Sequence, residues 1–221
     1  MNAFSEISGP TVVWTGKVML QGSLVMPARP LAAAVFASFP TLPDETRDAA
    51  IASLLREAHI ATLHVPLLSE EEIQFDASTS HYRNDAEFLA QRFIDIGNWV
   101  TRNHETAGLP LAYLGSSSGA AGAIVAAAQR PDLVSSVVSI DGRTDLAVDY
   151  LRDVKAPTLL LVKDMPVLRM NREALSQLRG ERRIEIVHGA ECHATDCVVQ
   201  KSVHWLEDTL TLVSATTYGM F

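Results

Sequence analysis

The 221 residues are 48% apolar and 20% charged, enough apolar side chain to fill one sizeable core, which excludes a disordered chain. The net charge of −8 at pH 7 is spread without long like-charge blocks, favouring solubility and arguing against a nucleic-acid or anionic-membrane surface. Met1 to Pro10 lacks the basic start and apolar centre of a secretory leader, no stretch approaches the roughly 20 apolar residues of a membrane span, and the only cysteines are Cys192 and Cys197. Two are too few for a disulfide framework and suit a reducing compartment, so a cytoplasmic protein is expected.

In chain order, Val12 to Pro27 comes first. Val18-Met19-Leu20 and Leu24-Val25-Met26 flank Gln21-Gly22-Ser23, which predicts an antiparallel hairpin at a sheet edge. Apolar runs of strand length follow at Leu31 to Phe39, Ile60 to Leu67, Leu109 to Leu114, Leu133 to Ile140, Pro157 to Val162 and Arg183 to Val187. Amphipathic stretches alternate with them: Glu45 to Ala58, Asp85 to Arg102, Gly119 to Arg130, Asn171 to Arg179 and Asp196 to Leu212. Strand alternating with helix predicts an α/β fold, a mostly parallel sheet covered on both faces. No repeat or linker-like tract divides the chain, so residues 1–221 are read as a single domain. Asp85, Glu87 and Glu70-Glu71-Glu72 read as solvated faces, and the loop from Glu70 to Asn84 takes no assigned structure.

The most informative stretch is Leu111-Ala112-Tyr113-Leu114-Gly115-Ser116-Ser117-Ser118-Gly119, a strand ending in Gly-x-Ser-x-Gly before an Ala/Gly-rich helix. A sharp strand-to-helix turn of this kind exposes the middle serine, and glycines on either side let neighbouring backbone approach. Ser117 is therefore the candidate nucleophile. The helix start behind it makes Ser118 N–H the expected first oxyanion donor.

A serine hydroxyl needs a hydrogen-bonded base whose other ring nitrogen is fixed by a carboxylate. In α/β-hydrolase order the acid and then the base lie downstream, on loops after late strands. Asp164 follows the strand ending at Val162, and His193 follows the one ending at Val187. His188 is a rival base and Asp141, in Ile140-Asp141-Gly142, a rival acid. His204 falls within the last helix, and His59, His64, His81 and His104 precede the serine and read as surface or core residues. Arg143 could meet a substrate carboxylate or pair with Asp145. Cys192, His193, Asp196 and Cys197 lack a second ligand pair at metal-site spacing, so no metal is expected.

With these residues assembled, the chain resembles the dienelactone-hydrolase-like branch of the α/β-hydrolases from about Thr11 to Leu212. The resemblance lies in Ala58 to Glu72, Glu105 to Ala128, Arg130 to Leu146 and Ala156 to Leu175. It implies the α/β-hydrolase fold, no metal and no organic cofactor. Dienelactone hydrolase itself carries a cysteine nucleophile, so Ser117 points toward carboxylester chemistry. Relatives have a His-Gly loop after the strand ending near Ala37, whereas this chain reads Ser38-Phe39-Pro40-Thr41-Leu42-Pro43. Pro40 has no N–H, and Phe39 aligns as the second oxyanion donor. The turn before Asp164 is two residues shorter than in relatives, and Gly189-Ala190-Glu191-Cys192 before His193 is one longer.

Asp141 to Pro157 is too short for a large lid domain, which predicts an open site for small or medium acyl esters. The expected partner is a small-molecule ester, with no nucleic acid or membrane. Two other classes stay open: a catalytically silent binding or regulatory protein on the same scaffold, and an acyltransferase that passes the acyl group to an acceptor other than water.

Overall fold

The computed structural model describes residues 7–38, 45–187 and 194–218. Its strands are β1 (Ile7–Thr15), β2 (Val18–Met26), β3 (Ala32–Ser38), β4 (Ile60–Pro66), β5 (Leu111–Ser116), β6 (Ser136–Ile140), β7 (Thr158–Val162) and β8 (Arg182–Ile186). They form one sheet in the order β1-β2-β4-β3-β5-β6-β7-β8. The pairs β1–β2 and β2–β4 are antiparallel, and every pair from β4 to β8 is parallel. This is the α/β-hydrolase architecture with an antiparallel N-terminal hairpin. The helices are α1 (Glu45–Glu57), α2 (Glu70–Thr79), α3 (Ala86–Arg102), α4 (Ser118–Gln129), α5 (Met165–Gln177) and α6 (Ala194–Tyr218).

Two apolar layers follow from the period-2 strand pattern, since alternate side chains point to opposite faces. Val35, Leu63, Tyr113 and Val137 face α3 and α4, while Phe36, Leu114, Val138 and Leu161 face α1 and α6. The α6 stripe Val198, Val199, Val203, Leu206 and Leu210 has helical spacing and is buried on the second layer. Between β6 and β7 the chain makes two 3-10 turns, Thr144–Ala147 and Leu151–Asp153, with Ala147 and Leu151 inside the core rather than raised as a lid. Among the described residues no helix is long and apolar enough to cross a membrane.

The hairpin differs from its sequence reading. Val18 to Met26 is one continuous strand, and the turn lies at Gly16-Lys17, where Gly16 has φ +63°. Gly22 sits mid-strand because β2 crosses close to β4: a Cβ there would lie 2.6 Å from the His64 carbonyl oxygen. Turn chemistry and close backbone approach both select glycine, so Gly22 imitated a turn. Pro10, without an N–H, is tolerated because β1 is an edge strand.

Two helices also depart from expectation. α5 begins at Met165, six residues before Asn171, with Pro166 in its first turn where a missing N–H costs nothing. α2 occupies part of the unassigned Glu70 to Asn84 segment and opens with a capping box: Ser69 Oγ accepts from Glu72 N–H, and Glu72 accepts from Ser69 N–H. Glu72 is thus no solvated face. It pairs with Arg92 of α3, which also donates to the Thr15 hydroxyl and lies 4.9 Å from the Phe88 ring centre. Asp85 is the N-cap of α3, accepting from Phe88 N–H at 2.9 Å.

Candidate active site

The serine turn joins β5, in the middle of the sheet, to α4. Ser117 has φ +52° and ψ −124°, a conformation that costs a non-glycine residue about 1–3 kcal/mol and persists only where its surroundings enforce it. Ser117 N–H donates to the Ile140 carbonyl at 3.0 Å, and the Ser117 carbonyl accepts from Arg143 N–H at 3.0 Å. The loop after β6 therefore holds the turn from the side. Gly115 is required by packing, since a Cβ would stand 2.6 Å from Gly119 O and 2.7 Å from Ala120 N. At Gly119 a Cβ would come within 3.1 Å of Leu67 Cδ1.

The three serines separate as the motif predicts. Ser117 is exposed, Ser116 half-buried, and Ser118 buried at 7% exposure. As the first residue of α4, Ser118 has an N–H with no backbone acceptor among the described residues. An N–H at a helix start, where the helix dipole places partial positive charge, is a donor of the kind that can stabilise a developing oxyanion.

Sheet order sets out the remaining candidates. β3, β5, β6, β7 and β8 are consecutive and parallel, so their carboxyl ends open on one edge. Phe39 follows β3; it, His188 and His193 lie outside the described residues. Asp164, after β7, is the N-cap of α5, but its exposed side chain makes no cap hydrogen bond. Asp141, after β6, is occupied: its Oδ1 accepts from Lys163 N–H at 2.8 Å and Asp164 N–H at 2.9 Å, and its Oδ2 lies 3.8 Å from Lys163 Nζ.

Arg143 is paired with Asp145 through two bonds of 2.9 and 2.8 Å. Those bonds hold the Asp145 carboxyl below its ordinary pKa, so of the two readings of Arg143 the ion pair is the one observed. What the side chain concealed is the main-chain role: Arg143 N–H supports the serine turn, and no side-chain pattern announces a backbone donor. His64 stacks on Phe36 with ring centres 5.5 Å apart, and His204 is exposed with Asp208 Oδ2 at 3.5 Å. Among the described residues no three His, Cys, Asp or Glu side chains are grouped to hold a metal ion. Cys197 is disulfide-bonded, a state that a reading based on a reducing compartment did not include.

The chain matches no family model. Two Mycobacterium tuberculosis proteins with a provisional phosphoribosyl transferase name are 39% identical over 181 residues, 80% of this chain, but the chain spans only 40% of their length. Among solved structures, a dienelactone hydrolase from Anabaena variabilis is 38% identical with a TM-score of 0.86, and the match covers 93% of this chain and 99% of that one. A CIB-like hydrolase from Thermoplasma acidophilum (TM-score 0.72, 16% identity, 92% and 100% covered) shares the fold. So does the esterase domain of a Rhodothermus marinus protein (TM-score 0.72, 14% identity, 92% and 99% covered). A Gly-x-Ser-x-Gly turn on the central strand, together with a near-complete structural match at 38% identity, places this chain in the dienelactone-hydrolase-like family of α/β-hydrolases.

Proposed function

We propose that the chain is a carboxylester hydrolase acting on small or medium acyl groups through an acyl-enzyme on Ser117. The observation that carries this reading is the strained, exposed Ser117 at φ +52°, with a Ser118 N–H behind it that has no backbone acceptor among the described residues. A binding protein gains nothing from backbone strain that serves only to present a hydroxyl.

In the reaction, His193 removes the Ser117 proton as the oxygen attacks the acyl carbonyl, then returns it to the leaving alcohol. Asp164 accepts from the other ring nitrogen and fixes its tautomer. The Asp164 carboxylate, which is exposed and makes no cap hydrogen bond, supports this choice over Asp141, one of whose oxygens is taken up by two backbone donors. Backbone N–H groups of Ser118 and Phe39 stabilise the oxyanion, and water then releases the acid. Core placement of the segment between β6 and β7 supports an open site without a long acyl tunnel.

Hydrolysis of p-nitrophenyl esters from acetate to octanoate by wild type and Ser117→Ala tests the proposal. Wild-type turnover should fall with chain length, and the variant should lose roughly four to six orders of magnitude in kcat. Equal activity in both proteins would refute it.

A further inference from the structure

The carboxylate of Asp141 has no part in the mechanism above, yet it occupies a strained position beside it. Asp141 is one of four non-glycine residues with positive φ among those described, at +46°. Its main chain continues the β6–β7 ladder by one step, N–H to the Leu161 carbonyl at 2.8 Å. There the backbone turns away, and the side chain takes over as acceptor for the next two donors of the facing strand end, Lys163 N–H at 2.8 Å and Asp164 N–H at 2.9 Å. The side chain is only 17% exposed. One carboxylate oxygen thus does the work of a strand carbonyl.

The bonds fall on a two-residue connection at this edge. β7 ends at Val162 and α5 begins at Met165, so only Lys163 and Asp164 lie between them, and Asp141 grips both. Asp164 itself takes φ −98° and ψ 111° and keeps its carboxylate off its own helix cap. A charge-assisted acceptor on the Asp164 N–H fixes the main chain from which that carboxylate projects, in a turn too short to brace itself.

We propose that Asp141 is a positioning residue for the triad acid, setting the direction of Asp164 toward the base; this rests on the Ser117–His193–Asp164 reading above. In this role Asp141 acts on the main chain of Lys163 and Asp164, to which its carboxylate is bonded, rather than on the reacting groups. Its effect passes through the Lys163 and Asp164 amides.

Asparagine tolerates positive φ and keeps an Oδ1 acceptor, whereas glycine relieves the φ restriction and removes the acceptor. Asp141→Gly therefore deletes the grip without adding strain. The experiment compares wild type, Asp141→Gly, Asp141→Asn, Asp164→Asn and Ser117→Ala on p-nitrophenyl acetate, recording kcat, KM, the pH profile of kcat and the thermal midpoint. Asp141→Gly should lower kcat by about 10- to 100-fold, the scale of a displaced catalytic group, with KM within about twofold on that same scale. Asp141→Asn should recover most of the loss. The acid limb of the Asp141→Gly profile should move toward lower pH, in the direction of Asp164→Asn, because a base without its carboxylate partner is easier to deprotonate.

A low Asp164→Asn rate beside an Asp141→Gly enzyme with wild-type kcat and pH profile would overturn the positioning role and leave the triad standing. An Asp141→Gly loss as deep as that of Asp164→Asn, not recovered by Asp141→Asn, would make Asp141 the acid itself and overturn it as well. Full activity in Ser117→Ala would remove the reading beneath it.

Discussion

Polar groups at two places in this molecule are handled in opposite ways. Where the N-terminal hairpin, α2 and α3 meet, they are paired off: Arg92 reaches Glu72 and Thr15, Ser69 and Glu72 cap each other, and the Asp76 carboxylate takes Tyr82 N–H, Arg83 N–H and Arg83 Nε. At the carboxyl ends of β5 and β7, Ser117 is exposed on strained backbone, Ser118 N–H has no backbone acceptor among the described residues, and the Asp164 side chain makes no cap bond. Satisfied networks hold elements together, whereas unsatisfied groups on an enforced backbone are held ready for a ligand. The contrast separates stability from chemistry within one sheet.

Substitutions at the two places should therefore fail differently. The largest effect is the loss of turnover in Ser117→Ala. Next comes Gly115→Ala, whose Cβ would meet Gly119 O at 2.6 Å and Ala120 N at 2.7 Å. Shifting the turn should cost about 10²-fold in kcat, measured on p-nitrophenyl acetate under saturating conditions. Asp141→Gly stands between these and the structural set, with its moderate kcat loss.

At the other place, Arg92→Met should leave Glu72 without its partner and cost about 3 kcal/mol, a fall of roughly 6–12 °C in thermal midpoint. Its kcat should stay within about twofold of wild type, as expected for a residue that contacts Thr15, Glu72 and Phe88 rather than the serine turn. A kcat that fell with the midpoint would break the separation.

The smallest effect is a dependence on pH. Burial alone would raise the Asp76 pKa, but bonds from Arg83 and Tyr82 outweigh it and hold the carboxyl below 3.8. A pKa depressed in the folded state contributes stability above the unfolded value, and that contribution is lost as pH falls through the folded one. The stability gap between wild type and Asp76→Asn, about 1–3 kcal/mol at pH 6, should therefore shrink below about pH 4 in urea titrations.

Most of the architecture was legible because it rests on patterns of apolar side chains, which are what a sequence displays. The strands from Leu31 onward and the stripe on α6 are of this kind. Gly22 misled because glycine serves two geometries, and only the neighbouring strand shows which. α2 escaped notice because its stretch is polar, although Ser69-x-x-Glu72 is a helix-start signal that could have marked it.

In the site, Ser117 and Ser118 stand where the motif puts them, since a strained turn demands particular glycines around it. The grip of Asp141 on Lys163 and Asp164, and the support from Arg143 N–H, run through main-chain atoms and leave no residue pattern to read. His193 and Phe39 lie outside the described residues, and their roles rest on chain order and on alignment with relatives.

The most direct test of the central claim is covalent capture. Wild-type protein treated with a fluorophosphonate probe, digested and mapped by mass spectrometry, should carry one label on Ser117, suppressed by a competing short-chain ester. Failure to label, or a label on another residue with Ser117 unmodified, would contradict the account.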